Sequence, residues 1–296
     1  MAVMTPGADR VRSWSRPRPR FALEMAIIAG LACVTTLALA LHAASGHSSS
    51  HARPAAGRSG APRPATTRWP MVAMHRVVAL GDSVSAGTAC GCPPFADLVA
   101  RQLGARLRQP VSSTNLSVSG ETSGQLVQTL RAPSTQRALA QPAVVLVTVG
   151  ANDLEDQPTG NGCASLNPAC YGSAVSSLSG LISQAVAQIR RSSQGPVVIV
   201  LIGYWNVFLD GAVGRGHGSS YVANSDLLTR AVNEAISAAA ERGGALYLDT
   251  YALFKNDGDA DDTHLLAPDG DHPNAAGQRL IATGVLTALR AVGCPC

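Results

Sequence analysis

The chain has 296 residues, 14% of them charged and 4% aromatic, so one larger domain with appendages is expected, its core built from Val, Leu, Ile and Ala. The formal charge of +4 is local: residues 1–70 hold nine Arg against Asp9 and Glu24, whereas residues 71–296 hold fourteen basic and seventeen acidic residues. The body therefore has no broad basic face, which excludes nucleic acid as its partner.

Arg10, Arg12, Arg16, Arg18 and Arg20 precede MAIIAGLACVTTLALAL, seventeen uncharged residues between Glu24 and His42. A basic flank before an apolar run marks a signal peptide or a membrane anchor. The run is longer than a usual signal core and slightly short of the about 20 residues of a full span. Residues 1–20 are read as a basic cytoplasmic segment and 21–44 as a membrane anchor or signal peptide. Either way, the chain beyond residue 44 is expected outside the cytoplasm, tethered to the membrane or secreted. Residues 45–70 (SGHSSSHARPAAGRSGAPRPATTRWP) lack the apolar content to fold and read as a disordered linker, leaving 71–296 as the folded domain.

Six cysteines lie beyond the apolar run: Cys90, Cys92, Cys163, Cys170, Cys294 and Cys296. An even number outside the cell points to disulfides. Cys163 and Cys170 flank one short loop and are expected to pair. Pairing of Cys90 or Cys92 with that loop is the alternative, because the last helix carries Cys294 and Cys296 about 27 Å away. The C-x-C spacings, with no His nearby, do not match a zinc site.

From residue 75, short β-branched runs (75–80, 111–118, 143–149, 196–202 and 244–249) alternate with helix-like stretches (94–107, 123–131, 171–192, 221–242 and 274–292). Continuous apolar strands separated by helices predict a parallel sheet covered on both faces. In such sheets the site lies beyond the carboxyl ends of the strands. The segments there are Gly81-Asp82-Ser83, Ser119-Gly120-Glu121-Thr122, Gly150-Ala151-Asn152-Asp153, Gly203-Tyr204-Trp205-Asn206, and the region from Thr250 to His272.

The first segment, GDSVSAG at 81–87, fits neither a dinucleotide fingerprint nor a P-loop, and Asp82 would oppose a phosphate. A lone serine after a strand is usually a helix cap. A nucleophilic serine needs a base, an orienter and an oxyanion hole. His272, in PDGDHPN, has Asp269 three residues earlier, a spacing at which a tight turn lets the carboxylate fix the imidazole tautomer. The N–H groups of Ser83 and Gly120 and the Asn152 amide are candidate oxyanion donors. Each residue alone reads as an ordinary turn residue; together they fall at the right ends of four elements.

The blocks GDSVSAG, NLSVSGETS, VTVGANDL and DGDHPN, in order across residues 77–275, resemble those of the SGNH hydrolases, the GDSL-type esterases and lipases. Val84 stands where the name motif has Leu, and Ala151 where a second Gly is common. The resemblance implies a three-layer α/β/α sandwich with a five-stranded parallel, flavodoxin-like sheet. It implies Ser83 as nucleophile, His272 as base, Asp269 as its orienter, Gly120 and Asn152 as oxyanion donors, and no metal or organic cofactor. The substrate class it implies is a small-molecule, lipid or glycan ester, with a carbohydrate or cell-wall O-acetylester as the alternative. The catalytic domain is expected to be monomeric. A surface binding module on the same fold would have lost one of these residues, and none is missing.

Tyr204, Trp205 and Asn206, with Phe208, are candidates for lining an acyl or sugar pocket, and the insertion 155–170 for walling the cleft. The acidic run Asp257, Asp259, Asp261, Asp262 lacks the Gly and Glu of a calcium loop and reads as a solvated loop.

Overall fold

Strand β1 (Arg76–Gly81) reads RVVALG and buries all but its first residue. Strands β3 (Ala143–Thr148) and β4 (Val197–Ile202) are buried in the same continuous way. A strand with no polar alternation has no wet face, so it must lie inside a sheet covered on both sides. The computed structural model, which describes residues 74–296 except 142, 156–162, 257 and 259, shows that arrangement. The expected segments 1–20, 21–44 and 45–70 lie outside the described residues. Among the described residues, no helix is long and apolar enough to cross a membrane.

Polar β2 (Ser112–Asn115) and short β5 (Leu246–Leu248) form the edges of a five-stranded sheet of order β2-β1-β3-β4-β5, every pair parallel. The helices are α1 (Ser83–Ala86), α2 (Phe95–Leu107), α3 (Ser123–Thr129), α4 (Pro133–Leu139), α5 (Asn152–Glu155), α6 (Gly172–Ser192), α7 (Gly211–Gly216), α8 (Ser219–Gly243), α9 (Thr250–Lys255) and α10 (Ala275–Ala291). Helices α3, α6 and α8 pack together on one face, α2, α9 and α10 on the other. Buried Gln278 of α10 ties the second layer: its Oε1 accepts from Phe95 N–H at 2.7 Å, a cap that Pro94 cannot supply to α2.

Strand β2 is shorter than the sequence pattern predicts. After Asn115 the chain still runs beside β1, with Leu116 N–H to Ala79 and Val118 N–H to Gly81, but Asn115 turns its amide to the Ser85 carbonyl at 2.8 Å. Strand β5 is also trimmed, because Gly244 closes α8 in a left-handed conformation and Asp249 caps α9. The short helices α4, α7 and α9 carry too few turns to show a periodicity in the sequence.

Chain connections diverge between β1 and its neighbours β2 and β3, the switch point where such folds place ligands. Gly81 closes β1 there with φ +105°, and a Cβ on it would lie 1.7 Å from the Thr148 carbonyl oxygen of β3. Gly120 also has positive φ, +81°, but a Cβ there would meet nothing within 4 Å. Gly81→Ala should therefore destabilise the fold by about 3 kcal/mol or more. Gly120→Ala should cost only the backbone strain, about 1–2 kcal/mol. Denaturant unfolding of the two variants checks this order.

Candidate active site

The turn after β1 is built around a buried carboxylate. Asp82, 1% exposed, caps α1 by accepting from Val84 N–H at 3.1 Å. It also accepts from the Thr148 hydroxyl at 2.6 Å and from the Tyr204 hydroxyl. Two more bonds fasten the turn to β3: Asp82 N–H to the Thr148 carbonyl at 2.9 Å, and Ser85 N–H to Thr148 Oγ1 at 3.2 Å. Ser85 is fully buried in this knot, with its hydroxyl 2.8 Å from that of Thr148. Ser83, half-buried, stands on the outer side. Among the described residues its Oγ has no hydrogen-bond partner, and the N–H groups of Ser83 and Gly120 donate to no acceptor.

Gly120 lies just past the edge strand. Its segment is tied to the first turn by the Thr88 and Ser119 hydroxyls, 2.7 Å apart. Asn152 opens α5 after β3. Its Nδ2 donates to the Glu121 carbonyl at 3.1 Å, which uses one amide hydrogen and leaves the other. Its neighbour Asp153 accepts from both N–H and hydroxyl of Ser123, at 2.8 and 2.5 Å, holding α5 against α3. Glu121 is buried against the Thr129 hydroxyl, and burial pushes its carboxyl up.

The turn before α10 carries the imidazole. His272 Nδ1 lies 2.9 Å from Asp269 Oδ2, and Asp269 Oδ1 accepts the N–H groups of Asp271 and His272. Burial pushes the Asp269 carboxyl up, but those N–H groups and the imidazole hold it net below its usual value. Asp271 is a second carboxylate, 3.6 Å from Nδ1, and burial pushes its carboxyl up. The charge of Asp271 also pushes the Asp82 carboxyl up, and that of Glu155 the Asp271 carboxyl. Among the described residues these strand-end segments thus carry an unpaired serine hydroxyl, unpaired donors and a carboxylate-oriented imidazole, groups suited to acyl transfer.

Tyr204, Trp205 and Asn206 do not line a pocket. They are 1%, 1% and 4% exposed. Tyr204 donates to Asp82, Trp205 stacks on Phe254 with ring centroids 4.5 Å apart, and Asn206 joins Ser225 and Thr229 of α8. The segment after β4 dives under the neighbouring helices. Side chains near the site that stay exposed and apolar are Val118, beside Gly120, and Val213, whose Cβ a side chain on Gly270 would meet at 2.5 Å. Sequence reasoning misses the supporting roles of Thr148, Ser85 and Tyr204; their trace is the polar Thr148 closing apolar β3 and the tyrosine two residues beyond β4.

Cys163 lies beside Cys170, with Cα atoms 5.8 Å apart, across two short 3-10 turns. The structure sets Cys90 beside Cys92 and Cys294 beside Cys296, rather than either of the first pair beside the 163–170 loop. Much of the insertion lies outside the described residues, as do Asp257 and Asp259. Asp261 pairs with Arg215, but Asp262 is 1% exposed, so the end of the acidic run is buried, not solvated.

The sequence profile described as GDSL-like Lipase/Acylhydrolase family matches residues 79–280. No curated protein sequence matches the chain. Solved structures share the fold. A lipase from a goat rumen metagenome has 20% identity and a TM-score of 0.57, over 74% of this chain and 97% of its own. Phospholipase A1 from Streptomyces albidoflavus has 23% identity and a TM-score of 0.52, over 75% of this chain and 100% of its own. A catalytic mutant of an acetylxylan esterase from Geobacillus stearothermophilus has 16% and 0.52, over 73% and 94%.

The Asp82 knot has a pH signature. Burial pushes its carboxyl from 3.8 up to about 6, against the pull of its Thr148, Tyr204 and Val84 donors. The folded state therefore holds this proton to higher pH than the unfolded chain. The stabilisation is whole below about pH 4 and is lost as pH rises through 6. The stability of the wild type relative to Asp82→Asn should fall by about 2 kcal/mol between pH 4 and 7. Urea unfolding of both proteins across that range measures it.

Proposed function

The chain belongs to the GDSL-like lipase/acylhydrolase family, whose members hydrolyse esters, and we propose that it does so outside the cytoplasm by a serine acyl-enzyme mechanism. His272 Nε2 takes the proton of Ser83 Oγ, which attacks the ester carbonyl. The oxyanion is received by the N–H groups of Ser83 and Gly120 and by the remaining amide hydrogen of Asn152. The alcohol leaves with the proton from His272, and water cleaves the acyl-enzyme by the reverse path. Asp269 holds the imidazole with Nδ1 protonated and stabilises the imidazolium.

The observations that carry this reading are the Asp269–His272 pair and, among the described residues, the unpaired N–H groups of Ser83 and Gly120 on the turns after β1 and β2. The exposed valines Val118 and Val213 favour an apolar acyl chain next to the reacting carbonyl. The phospholipase A1 and the acetylxylan esterase of the same fold bracket the substrate classes to assay, lipid esters and acetylated sugars. The extracytoplasmic placement is supported by the Arg-rich flank before the apolar run and by the even set of cysteines after it.

Aryl esters from acetyl to palmitoyl, a lysophospholipid and an acetylated xylan form the test panel. Ser83→Ala should abolish turnover on every ester cleaved. Asn152→Ala should lower kcat roughly a hundredfold or more with a smaller change in KM, since one oxyanion donor is worth about 3 kcal/mol in the transition state. Unchanged turnover in either variant contradicts the assignment.

A further inference from the structure

The chain contains twenty-two arginines and a single lysine, Lys255, at the end of α9. A sequence that writes every other cation as arginine has placed its one lysine in the interior, 8% exposed. Its Nζ pairs with the carboxylate of Asp210, and the ammonium lies 5.7 Å from the centre of the Tyr251 ring.

Asp210 connects this charge to the imidazole turn. It caps α7, accepting from Gly211 N–H at 2.8 Å, and its own N–H donates to the Gly270 carbonyl at 2.6 Å. Gly270 is the tip of the turn 267–272, closed internally by Gly270 N–H to Ala267 and Ala267 N–H to His272. The same helix is fastened to the preceding loop by Ala212 N–H to Thr263 Oγ1 at 2.9 Å and by Arg215 to Asp261.

Asp262, buried, completes the cluster. Burial and the nearby Asp210 push its carboxyl up, while Lys255 pulls it down. The ammonium thus pairs with one buried carboxylate, and without it that charge would be uncompensated. A compact point charge on a flexible stem suits this enclosed corner better than a planar guanidinium, which needs a fork of acceptors.

We propose that Lys255 is a positioning residue of the hydrolytic site. Through Asp210 it fixes the register of α7 against Gly270, and so the aim of the His272 imidazole toward Ser83. The proposal rests on the reading of His272 as the base.

The test is Lys255→Met, which keeps the apolar stem beside Tyr251 and removes the charge. Asp210→Asn serves as a second variant, because it keeps the backbone bond to Gly270 and withdraws the partner of the ammonium. Turnover of an aryl ester is referred to the serine titrated by a fluorophosphonate, so that unfolded protein is not counted. Each variant should lose tenfold or more in kcat per titrated serine, with KM within about threefold of wild type, and the double variant should fall little further than the worse single one. In 15N-histidine-labelled protein the His272 Nδ1–H resonance should move or broaden in both variants. A kcat per titrated serine within twofold of wild type, or an unmoved imidazole signal, would overturn the proposal. The imidazole signal needs no turnover, so it judges Lys255 separately from the hydrolase reading, which fails instead if the wild type shows no Ser83-dependent turnover.

Discussion

One buried carboxylate holds the site together. Asp82 is out of water, yet it collects the Thr148 hydroxyl from the end of β3, the Tyr204 hydroxyl from the end of β4 and the Val84 N–H of its own helix. Three strand ends are thereby tied at one point. The chain can turn outward after Gly81 only because glycine admits both the positive φ and the Thr148 carbonyl against its Cα. Burial of the carboxyl is unfavourable and shows as its raised proton affinity. What the knot secures is a turn whose outward residue, Ser83, keeps its hydroxyl and N–H unpaired among the described residues.

The rest of the site is arranged around that turn by short ties rather than by one rigid element. Asn152 leans on the Glu121 carbonyl, Asp153 on Ser123, Ser119 on Thr88, and the imidazole turn on α7 through Gly270. The charged side chains surrounding the reacting groups (Asp82, Glu121, Asp153, Asp269 and Asp271) are acidic. Such surroundings disfavour an anionic phosphate as ligand. The lone lysine sits one layer back, where it neutralises Asp210 without touching that field directly.

Much of this was legible in the sequence because it depends on chain order. Continuous β-branched runs can be buried only in a covered parallel sheet, and strand ends then name the segments to inspect. Asp269 and His272 were legible because their pairing needs only a three-residue turn. Tyr204, Trp205 and Asn206 were misplaced for the opposite reason. Aromatic residues after a strand look the same in sequence whether they open onto a cleft or turn under α8, and the deciding partners lie far along the chain at Asp82, Phe254 and Thr229. Lys255, Asp210 and Asp262 were hidden likewise: a charge among apolar and acidic neighbours reads as surface until the fold brings its counter-charge to it.

The central claim is that the knot selects Ser83, and no neighbouring hydroxyl, as the nucleophile. Peptide mass spectrometry of the protein after reaction with a fluorophosphonate tests this most directly. The account predicts a single adduct on Ser83, with Ser85 and Ser119 unmodified and no adduct in Ser83→Ala. An adduct on Ser85 or Ser119, or labelling that survives in Ser83→Ala, would contradict it.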